Sequence, residues 1–470
     1  MFAAVYALAY LIPFPLLTWY AIPKASFASI TQLSFWAAIG LAIAALILTL
    51  LYLRLWNIAR HRLDRSTIVM ILAGWLAAST ILLFTFPGQS SDLGDYTFHA
   101  HMLAHLGQNP LTTPPSAVIA YDANPYIGWY TEVDPYGPVW NGLAAGLHAL
   151  VGESYLANLL AFKALAIAAT AISGGLIYVI LRRIDPHYAA AGLALWLWNP
   201  LVLNEGALHG HNDLVTIAVI MIGLWLVVRR RETLGVVVLV VAGLIKLQAW
   251  LMIPIVAVWL MREHGWRAAL SRLIPAAIAG VALVWLTYAP FGGWWLLPKV
   301  VQDRSWWSTG TWTAAVFAYA RNSLHWTRDV AIRDVIGGAS LVFAIIAGGL
   351  MLKIRDLRPG AWAVVLAYLL VGAHYFQPWY VTWLMALTAT LAANRRIALY
   401  SSLFTYFMLL HPIVAQYLAP RLGLPSGGYD MVMAATTLLV PQIAALGLIV
   451  LSTRSARSHR LETKRADSLL

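Results

Sequence analysis

The sequence predicts an all-α, polytopic membrane protein with about 13 or 14 transmembrane helices. Of its 470 residues, 61% are hydrophobic and only 11% are charged, whereas a soluble domain carries about a quarter charged residues. Apolar runs of about twenty residues recur along the whole chain, which indicates helices rather than the alternating pattern of a membrane β-barrel. Clusters of Lys and Arg separate these runs, as is typical of cytoplasmic loops.

The predicted spans follow the apolar runs in chain order. They lie at residues 3–23, 33–53, 67–87, 154–181, 188–205, 211–229, 272–291, 333–352, 360–374, 377–393, 397–415 and 430–452. The first run has no basic segment before it, so it predicts a spanning helix rather than a cleavable signal peptide. Residues 1–452 are therefore expected to form one transmembrane domain. The polar, basic tail at 453–470 is expected to be cytoplasmic and disordered.

The stretch 233–261 begins and ends beside basic clusters, yet it is too short for two full crossings. Lys246 stands near its middle. A hairpin of two short helices, with Lys246 near the tip, places both basic ends on one side of the membrane. The alternative is one long span, which requires one basic cluster to lie on the opposite side.

The positive-inside rule also explains the net charge of +12. The basic residues are scattered over short loops between helices, which argues against a nucleic-acid-binding surface. With these residues inside, the long loops 88–153 and 292–332 lie on the extracytoplasmic face. The short apolar segments 98–107 and 139–152 in the first of them predict helices along the membrane interface. Because the unusual polar residues collect on this face, we expect a site at the extracytoplasmic membrane boundary.

Two acids, Asp92 and Asp95, directly follow the third predicted span. An acid at the edge of a membrane is costly to keep unless it has a function. One carboxylate can act as a general base that deprotonates a hydroxyl group, while the other orients the substrate. The structural alternative is that Ser91 or Asp92 caps a helix starting near Tyr96. Both acids are candidate catalytic residues, and the choice of base between them stays open.

The turn between the fifth and sixth spans is also densely polar. It contains Glu205, His211, Asn212 and Asp213, more polar groups than a connection requires. Carboxylates and amides can bind sugar hydroxyls, and they can equally cap the next helix; both explanations stay open.

A cation stands alone in an apolar segment at Lys246. Intramembrane cations are functional candidates, and an anionic lipid phosphate is a natural partner. Arg304 lies on the same predicted face and is a second candidate for binding this phosphate. The alternative for Lys246 is that it only extends its ammonium group to the membrane interface.

Further candidates for substrate binding lie in the outer loops. They are Tyr96, Asp134, Tyr136, His374, Gln377 and Trp379. For Trp379 an aromatic belt at the membrane interface is the alternative. His101 and His105 are one helical turn apart, a spacing that can bind a metal. No further ligand is evident in the sequence, so polar packing at the interface is expected for them and no metal is predicted.

Taken in order, these motifs resemble the GT-C superfamily of membrane glycosyltransferases. They are most similar to the bacterial polyprenol-phosphate-mannose-dependent mannosyltransferases. The resemblance spans roughly residues 85–385. It rests on Asp92 with Tyr96, Gly107-Gln108-Asn109-Pro110, Tyr136-Gly137-Pro138, His211-Asn212-Asp213, Lys246 and Gln377-Pro378-Trp379-Tyr380. The chain departs from the family at Leu111, where the family usually has Tyr, and Asp95 has no clear counterpart.

The resemblance implies an inverting transfer of a sugar, mannose in that family, from a polyprenyl-phosphate donor to a glycan or glycolipid. It implies a single GT-C-like domain in the cell membrane, with its active site outside, Asp92 as base and Lys246 at the leaving phosphate. No metal or other cofactor is required by this chemistry, and no nucleic acid is involved. Two other classes are considered: a lipid or polysaccharide flippase, which needs a polar path across the membrane, and a polymerase or ligase of lipid-linked glycans.

Overall fold

The computed structural model describes residues 1–118, 126–304, 307–424, 426–445 and 447, without the side chains of 303, 304, 426, 427 and 437. The predicted tail at 453–470 lies outside the described residues. Within the described ranges the chain is helical, and the β-type pairings are two isolated bridges, Pro15 with Thr85 and Thr309 with Tyr375. The predicted all-α class is confirmed.

Nineteen helices organise the part of the chain described here. The first ten are α1 Phe2–Leu11, α2 Phe35–His61, α3 Arg65–Leu83, α4 Asp92–Ala104, α5 Pro138–Val151, α6 Tyr155–Ile184, α7 Ala189–Leu197, α8 Pro200–Leu208, α9 Asp213–Val228 and α10 Glu232–Ile245. The others are α11 Met252–His264, α12 Trp266–Tyr288, α13 Leu296–Arg304, α14 Trp312–Asn322, α15 Arg328–Met351, α16 Leu357–Gly372, α17 Val381–Ala389, α18 Arg395–Leu422 and α19 Ser426–Ala434.

Six of the described helices are long and apolar enough to cross a membrane: α2, α3, α6, α12, α15 and α18. The pair α8 and α9, bent by 115°, counts as a seventh if it forms one span, and α1, α10 and α16 are shorter apolar helices. Other predicted spans are broken into shorter pieces. The run 188–205 becomes α7 and part of α8, because Pro200 cannot continue a helix from α7. Asn199 caps α8 there by accepting hydrogen bonds from the N–H groups of Leu201 and Val202.

The stretch around Lys246 consists of two short helices. α10 ends at Ile245, Lys246 has extended backbone (φ −143°, ψ 115°), and a turn of 3₁₀ helix at Leu247–Leu251 leads into α11. This confirms the predicted pair of short helices with Lys246 at their junction. A single continuous helix is excluded, because extended backbone breaks the ladder of helical hydrogen bonds.

The first long loop of the predicted topology, 88–153, contains two packed helices, as predicted. α4 begins at Asp92 rather than near Tyr96, so Asp92 and Asp95 occupy the first turn of this helix. Acids are stabilised there because the helix dipole is positive at its N-terminus. α5 begins with Pro138, whose fixed φ suits the first helical position. The loop thereby places its acids on a helix instead of on mobile backbone.

Basic residues at the helix ends meet on one face of the bundle. The Arg60 guanidinium donates to the carbonyl of Ala392 at 2.7 Å, and Arg358 donates to the carbonyl of Thr390 at 3.0 Å. α9 runs from Asp213 to Val228, directly before the basic residues 229–231, so about 24 Å of helix separates its polar start from its basic end. The polar and basic residues are segregated as the sequence predicts.

Lys163 joins α6 to the end of α3. Its side-chain nitrogen donates hydrogen bonds to the carbonyls of Leu82, Leu83 and Thr85 at 2.8, 2.8 and 2.6 Å. Three donated bonds use all three N–H groups of an ammonium. The last carbonyls of α3 have no hydrogen-bond donor within the helix, and Lys163 provides one. This contact fixes the point from which the chain enters the first outer loop.

Candidate functional site

Asp92 lies at the centre of a cluster of polar side chains from three elements. Its Oδ2 accepts hydrogen bonds from the hydroxyls of Tyr136 at 3.2 Å and Tyr96 at 3.3 Å. Tyr96 is one turn further along α4, so both side chains share one face of the helix. Nε2 of His211 lies 3.7 Å from the same carboxylate oxygen. The carboxylate is therefore held from three sides while it borders a cavity.

The two tyrosines around Asp92 act as hydrogen-bond donors. Burial raises the pKa of Tyr96 and of Tyr136 well above 10, and the negative charge of Asp92 adds to the effect. Both hydroxyls therefore keep their protons at neutral pH. A carboxylate that accepts hydrogen bonds from two such hydroxyls is oriented by them.

His211 is held between two carboxylates. Its Nδ1 lies 2.7 Å from Oε2 of Glu205, and its Nε2 lies 3.0 Å from the hydroxyl of Ser90. The indole of Trp379 packs on the imidazole with ring centroids 4.1 Å apart. A carboxylate at one ring nitrogen fixes the orientation of a histidine and the proton on that nitrogen. Glu205 thus determines which ring nitrogen of His211 faces Asp92.

Lys246 forms a buried ion pair with Asp213. Its Nζ lies 2.6 Å from Oδ2 of Asp213, whose Oδ1 accepts a hydrogen bond from Nε1 of Trp383 at 2.7 Å. The rings of Tyr136 and Tyr380 lie 5.4 and 5.0 Å from Nζ, within the range of cation–π attraction. The ammonium group is therefore held at a fixed position despite the flexibility of a lysine side chain.

A cavity of about 440 Å³ brings the two charged centres together. Asp92 and Lys246 both line it, and Tyr136 touches both, with its hydroxyl on Asp92 and its ring near Lys246. The N–H of Gly137 donates to the carbonyl of Ile245 at 3.0 Å. A Cβ at Gly137 would meet the carbonyl oxygen of Leu244 at 2.0 Å, so only glycine permits this approach.

A small apolar pocket of about 20 Å³ begins at Lys246. Its wall contains Met252 of α11, Val365 and Leu369 of α16 and Trp383 of α17. One cation thus lies at the junction of a polar cavity and an apolar pocket. That arrangement suits a ligand with an anionic head and a hydrocarbon tail.

Asp95 holds the loop that covers α4. Its Oδ1 accepts hydrogen bonds from the backbone N–H groups of Gly128 and Trp129, each at 3.0 Å, and Ser91 donates to its Oδ2 at 3.4 Å. Burial raises the pKa of Asp95 well above its usual value, the charge of Asp92 raises it further, and the two N–H groups oppose this. Asp95 lines the same cavity, but its oxygens are engaged in the loop.

Four other predicted residues line the cavity or a smaller neighbouring pocket. Asp134 borders the cavity and accepts the N–H of Tyr136 at 3.3 Å, which shapes the turn there. His374 borders it too, and burial lowers the pKa of its imidazole. Gln377 lines the smaller pocket, of about 120 Å³, with Glu205 and His211. Trp379 lies between the two spaces and lines both.

Some predicted residues lie behind the cavity wall. Asn212 and Asp213 are fully buried. The backbone N–H of Asn212 donates to the Tyr96 hydroxyl at 3.4 Å, while its amide atoms have no hydrogen-bond partner among the described residues. The direct binding of substrate predicted for these two residues stays a prediction. The side chain of Arg304, predicted to bind phosphate, lies outside the described residues.

The part of the chain that carries most of this cluster matches a known family. Residues 9–262, just over half of the chain, match the family described as alpha-(1→6)-mannopyranosyltransferase, N-terminal domain. The chain belongs to this family. The matched range includes Asp92, Tyr136, His211 and Lys246, and it confirms the resemblance to bacterial mannosyltransferases that the sequence motifs indicate.

Individual members of the mannopyranosyltransferase family show the extent of the similarity. The chain is 29% identical over 374 residues to alpha-(1→6)-mannopyranosyltransferase A of Mycobacterium tuberculosis, covering 72% of this chain and 67% of the relative. It is 24% identical over 273 residues to the A enzyme of Corynebacterium glutamicum, covering 52% and 53%. To the B enzyme of that organism it is 22% identical over 382 residues, covering 71% and 61%. The chain thus spans between half and two thirds of these relatives' length.

Several residues of the candidate site in this mannopyranosyltransferase-family protein were not predicted from the sequence. Trp383 orients Asp213, Ser90 contacts His211, and Trp129 stacks on Trp307 with centroids 4.5 Å apart at the cavity wall. Aromatic residues make up 12% of the chain, so a single Trp carries no signal of its own. A serine just before the two acids was the one available indication, since short polar side chains there can contact the following helix.

Proposed function

We propose that this protein is a mannosyltransferase that moves mannose from a polyprenyl-phosphate donor to a hydroxyl of a glycan or glycolipid acceptor. The transfer takes place at the extracytoplasmic face of the cell membrane, with the C-terminus in the cytoplasm. One observation carries the proposal: Asp92 and Lys246 line one cavity, and an apolar pocket begins at Lys246. A base, a cation and a lipid groove are the three parts that such a reaction needs.

The donor phosphate binds at Lys246. Its ammonium has three N–H groups and gives one to Asp213, so two remain for phosphate oxygens. The first isoprene units enter the apolar pocket, and the mannose lies in the cavity toward Asp92. Asp213 and Trp383 keep the ammonium in place before and after the phosphate arrives. Arg304 is proposed as a second cation for the same group.

The acceptor hydroxyl loses its proton to Asp92. Its oxygen attacks C1 of mannose, the bond between C1 and the phosphate oxygen breaks, and the polyprenyl phosphate leaves with the bonding electrons. Direct displacement on one carbon inverts its configuration, and a single base is sufficient for it. Lys246 meets the charge that develops on the leaving phosphate. The chemistry therefore needs neither an acid for the leaving group nor a metal.

Geometry favours Asp92 over Asp95 as the base. Oδ1 of Asp95 accepts two backbone N–H groups of the loop and its Oδ2 accepts a hydrogen bond from Ser91, so a proton from the acceptor would compete with these bonds. Asp92 receives its hydrogen bonds from side-chain hydroxyls, with His211 3.7 Å away. His211 and Glu205 are proposed to position this carboxylate for the proton transfer. His374, Gln377, Trp379, Asp134 and the two tyrosines are proposed to contact the sugars.

A polymerase or ligase using a diphosphate-linked lipid is the second candidate class. A diphosphate carries more charge than a monophosphate and is usually met by several cations or a metal. Among the cavity-lining side chains in the described ranges, Lys246 is the only one that belongs to a Lys or Arg residue. This favours the monophosphate donor. A flippase is disfavoured because the polar residues collect at one end of the bundle.

The test is transfer by the purified protein in detergent or nanodiscs. Polyprenyl phosphate with radiolabelled mannose is offered with a short α-1,6-linked mannoside as acceptor. We expect a lengthened mannoside whose new linkage has the anomeric configuration opposite to that of the donor, together with one equivalent of polyprenyl monophosphate. Asp92→Asn protein is the matched control for background transfer. Turnover with a polyprenyl-diphosphate sugar but none with the monophosphate donor contradicts the proposal.

A further inference from the structure

A second group of polar side chains lies at the far end of α4, distinct from the cavity. It consists of His101 of α4, His105 directly after that helix, His148 of α5 and Glu153 in the connection to α6. His101 and His105 follow Asp92 by nine and thirteen residues, or roughly 14 and 20 Å along the helix. None of the four lines the cavity. We refer to these four residues as the histidine cluster.

The four side chains can each present one ligand atom to a common centre. One donor atom from each residue lies within 4.8 Å of all the others. The imidazoles of His101 and His105 are stacked 5.3 Å apart, and His148 stands edge-on to both, at 5.4 and 5.1 Å. Three imidazoles and one carboxylate form a donor set typical of Zn²⁺.

The spacing within the histidine cluster matches metal ligands better than hydrogen bonds. Nδ1 of His101 lies 3.5 Å from one Glu153 oxygen, and Nδ1 of His105 lies 3.4 Å from the other. N–H···O hydrogen bonds are usually about 2.9 Å long. Ligand atoms about 2.0–2.1 Å from a tetrahedral zinc are roughly 3.4 Å apart. A second group of candidate metal ligands, the Glu205 cluster, consists of Glu205, His209 and His211. There Glu205 lies 2.7 Å from His211, a hydrogen-bond length, so this group is the poorer metal site.

Asn158 fixes the tautomer and orientation of the His148 imidazole. The amide NH₂ of Asn158 donates to the carbonyls of Gly152 and Ser154, at 2.7 and 2.9 Å. Its oxygen therefore faces Nδ1 of His148 at 2.8 Å, and Nδ1 must carry the proton. In the neutral ring of His148, Nε2 is then the nitrogen that carries the electron pair able to bind a metal. Such an outer partner is what fixes the tautomer and orientation of metal-bound histidines.

Access to the histidine cluster is from the surface. The side chains of His101 and His148 are nearly fully buried, at 6% and 0% exposure, whereas those of His105 and Glu153 are 38% and 57% exposed. Two ligands are thus fixed by packing and two can close over an ion that arrives from water. A half-open site of this kind needs no rearrangement of the helices.

We propose that the histidine cluster binds one divalent transition-metal ion, with Zn²⁺ as the best fit. The ion ties the end of α4 to α5 and to the start of α6. Because α4 carries Asp92 and Asp95 at its other end, the ion stabilises the helix that positions the candidate site without contacting substrate. The inference is independent of the proposed transfer reaction, which uses no metal.

The test measures zinc binding on protein purified with an affinity tag that contains no histidine. Metal is removed with a chelator, and Zn²⁺ is titrated against a competing fluorescent indicator. We expect one equivalent to bind to wild type and to raise its melting temperature, since a ligand of the folded state stabilises it. In the double variant Glu153→Gln/His105→Ala, the affinity for zinc should fall at least tenfold. Zinc should then raise the melting temperature less than it does in wild type. Its two positions are exposed enough that the metal-free protein should melt as wild type does.

Two controls separate the alternatives. His187→Ala removes a histidine from another loop and should leave zinc affinity unchanged. Co²⁺ in place of Zn²⁺ should give the visible absorption of a tetrahedral site in wild type, and the double variant should lack it. Equal zinc affinity in wild type and the double variant overturns the proposal. So does a loss of binding in His209→Gln with retention in the double variant, because the ion would then occupy the Glu205 cluster.

Discussion

Asp213 holds the ammonium group of Lys246 at 2.6 Å, just behind the cavity that Asp92 lines. The pair is buried, and removing one member of a buried pair leaves an uncompensated charge. A single substitution at Lys246 therefore changes two things at once, the cation for the donor and the partner of Asp213. Any test of Lys246 must separate them.

We predict that Lys246→Met lowers the rate of transfer by about a hundredfold, the effect of losing a charge-assisted contact of about 2–4 kcal/mol. Lys246→Arg should retain part of the activity because the charge remains. The double variant Lys246→Met/Asp213→Asn restores a neutral pair and should recover thermal stability but not transfer. Donor titrations on all three provide the measurement. If Lys246→Met binds the donor as wild type does, Lys246 has no part in the reaction.

Asp92→Asn should abolish transfer while the protein still inserts and folds, since an amide cannot accept the proton of the acceptor. Asp95→Asn should reduce transfer less, because one amide oxygen can still accept the N–H groups of Gly128 and Trp129. Turnover of both purified variants is measured under identical conditions. A near-normal rate for Asp92→Asn with an inactive Asp95→Asn would reassign the base.

Gly137→Ala should lower transfer on the order of a hundredfold, because a small displacement of a positioned group has large effects on rate. The added Cβ would meet the Leu244 carbonyl oxygen at 2.0 Å, which pushes Tyr136 away from Lys246. Gly142→Ala is the matched control, since its Cβ would meet nothing within 4 Å. Equal loss in both variants would point to a general effect on the loop instead.

The stability of the protein should depend on pH through Asp95. Burial and the charge of Asp92 raise its pKa above the usual value of 3.8. An acid with a raised folded-state pKa stabilises the fold below its unfolded-state pKa, and this contribution is lost as pH rises through the folded-state pKa. The melting temperature of wild type minus that of Asp95→Asn should therefore fall as pH increases from about 4 to about 8. A difference that stays constant would show that Asp95 titrates normally.

The orientation in the membrane can be tested with single cysteines, because the chain has none. Tyr130 and Arg230 are both exposed, at opposite ends of the bundle. Tyr130→Cys should react with an impermeant thiol reagent in intact cells, and Arg230→Cys should react only after lysis. The reverse pattern would place the acids in the cytoplasm.

The sequence predicted the components of the site better than their arrangement. Asp92, Tyr136 and Lys246 were identified because polar residues in an apolar chain are conspicuous, and the structure brings them to one cavity. The start of α4 at Asp92 was missed, since the loop carries no strong signal for the helix boundary. Burial of Asn212 and Asp213 was also missed, because it depends on how α8 and α9 pack in the bundle.

The histidine cluster illustrates why distant ligands escape a reading of the sequence. His101 and His105 were noticed from their spacing of four, whereas His148 and Glu153 follow more than forty residues later. Only the packing of α4 against α5 reveals that they meet. Local periodicity contains no information about which two helices lie side by side.

Lys163 has a consequence for how the protein is assembled. Its ammonium group is held by carbonyls at the end of α3, and a lysine in the middle of an isolated spanning helix costs about 2.5–3.5 kcal/mol to insert. α6 therefore enters the lipid most easily when α3 is already there to receive the charge. Ribosomal synthesis delivers them in that order. In the proposed orientation, the intervening loop, with its acids and histidines, crosses the membrane between the two events.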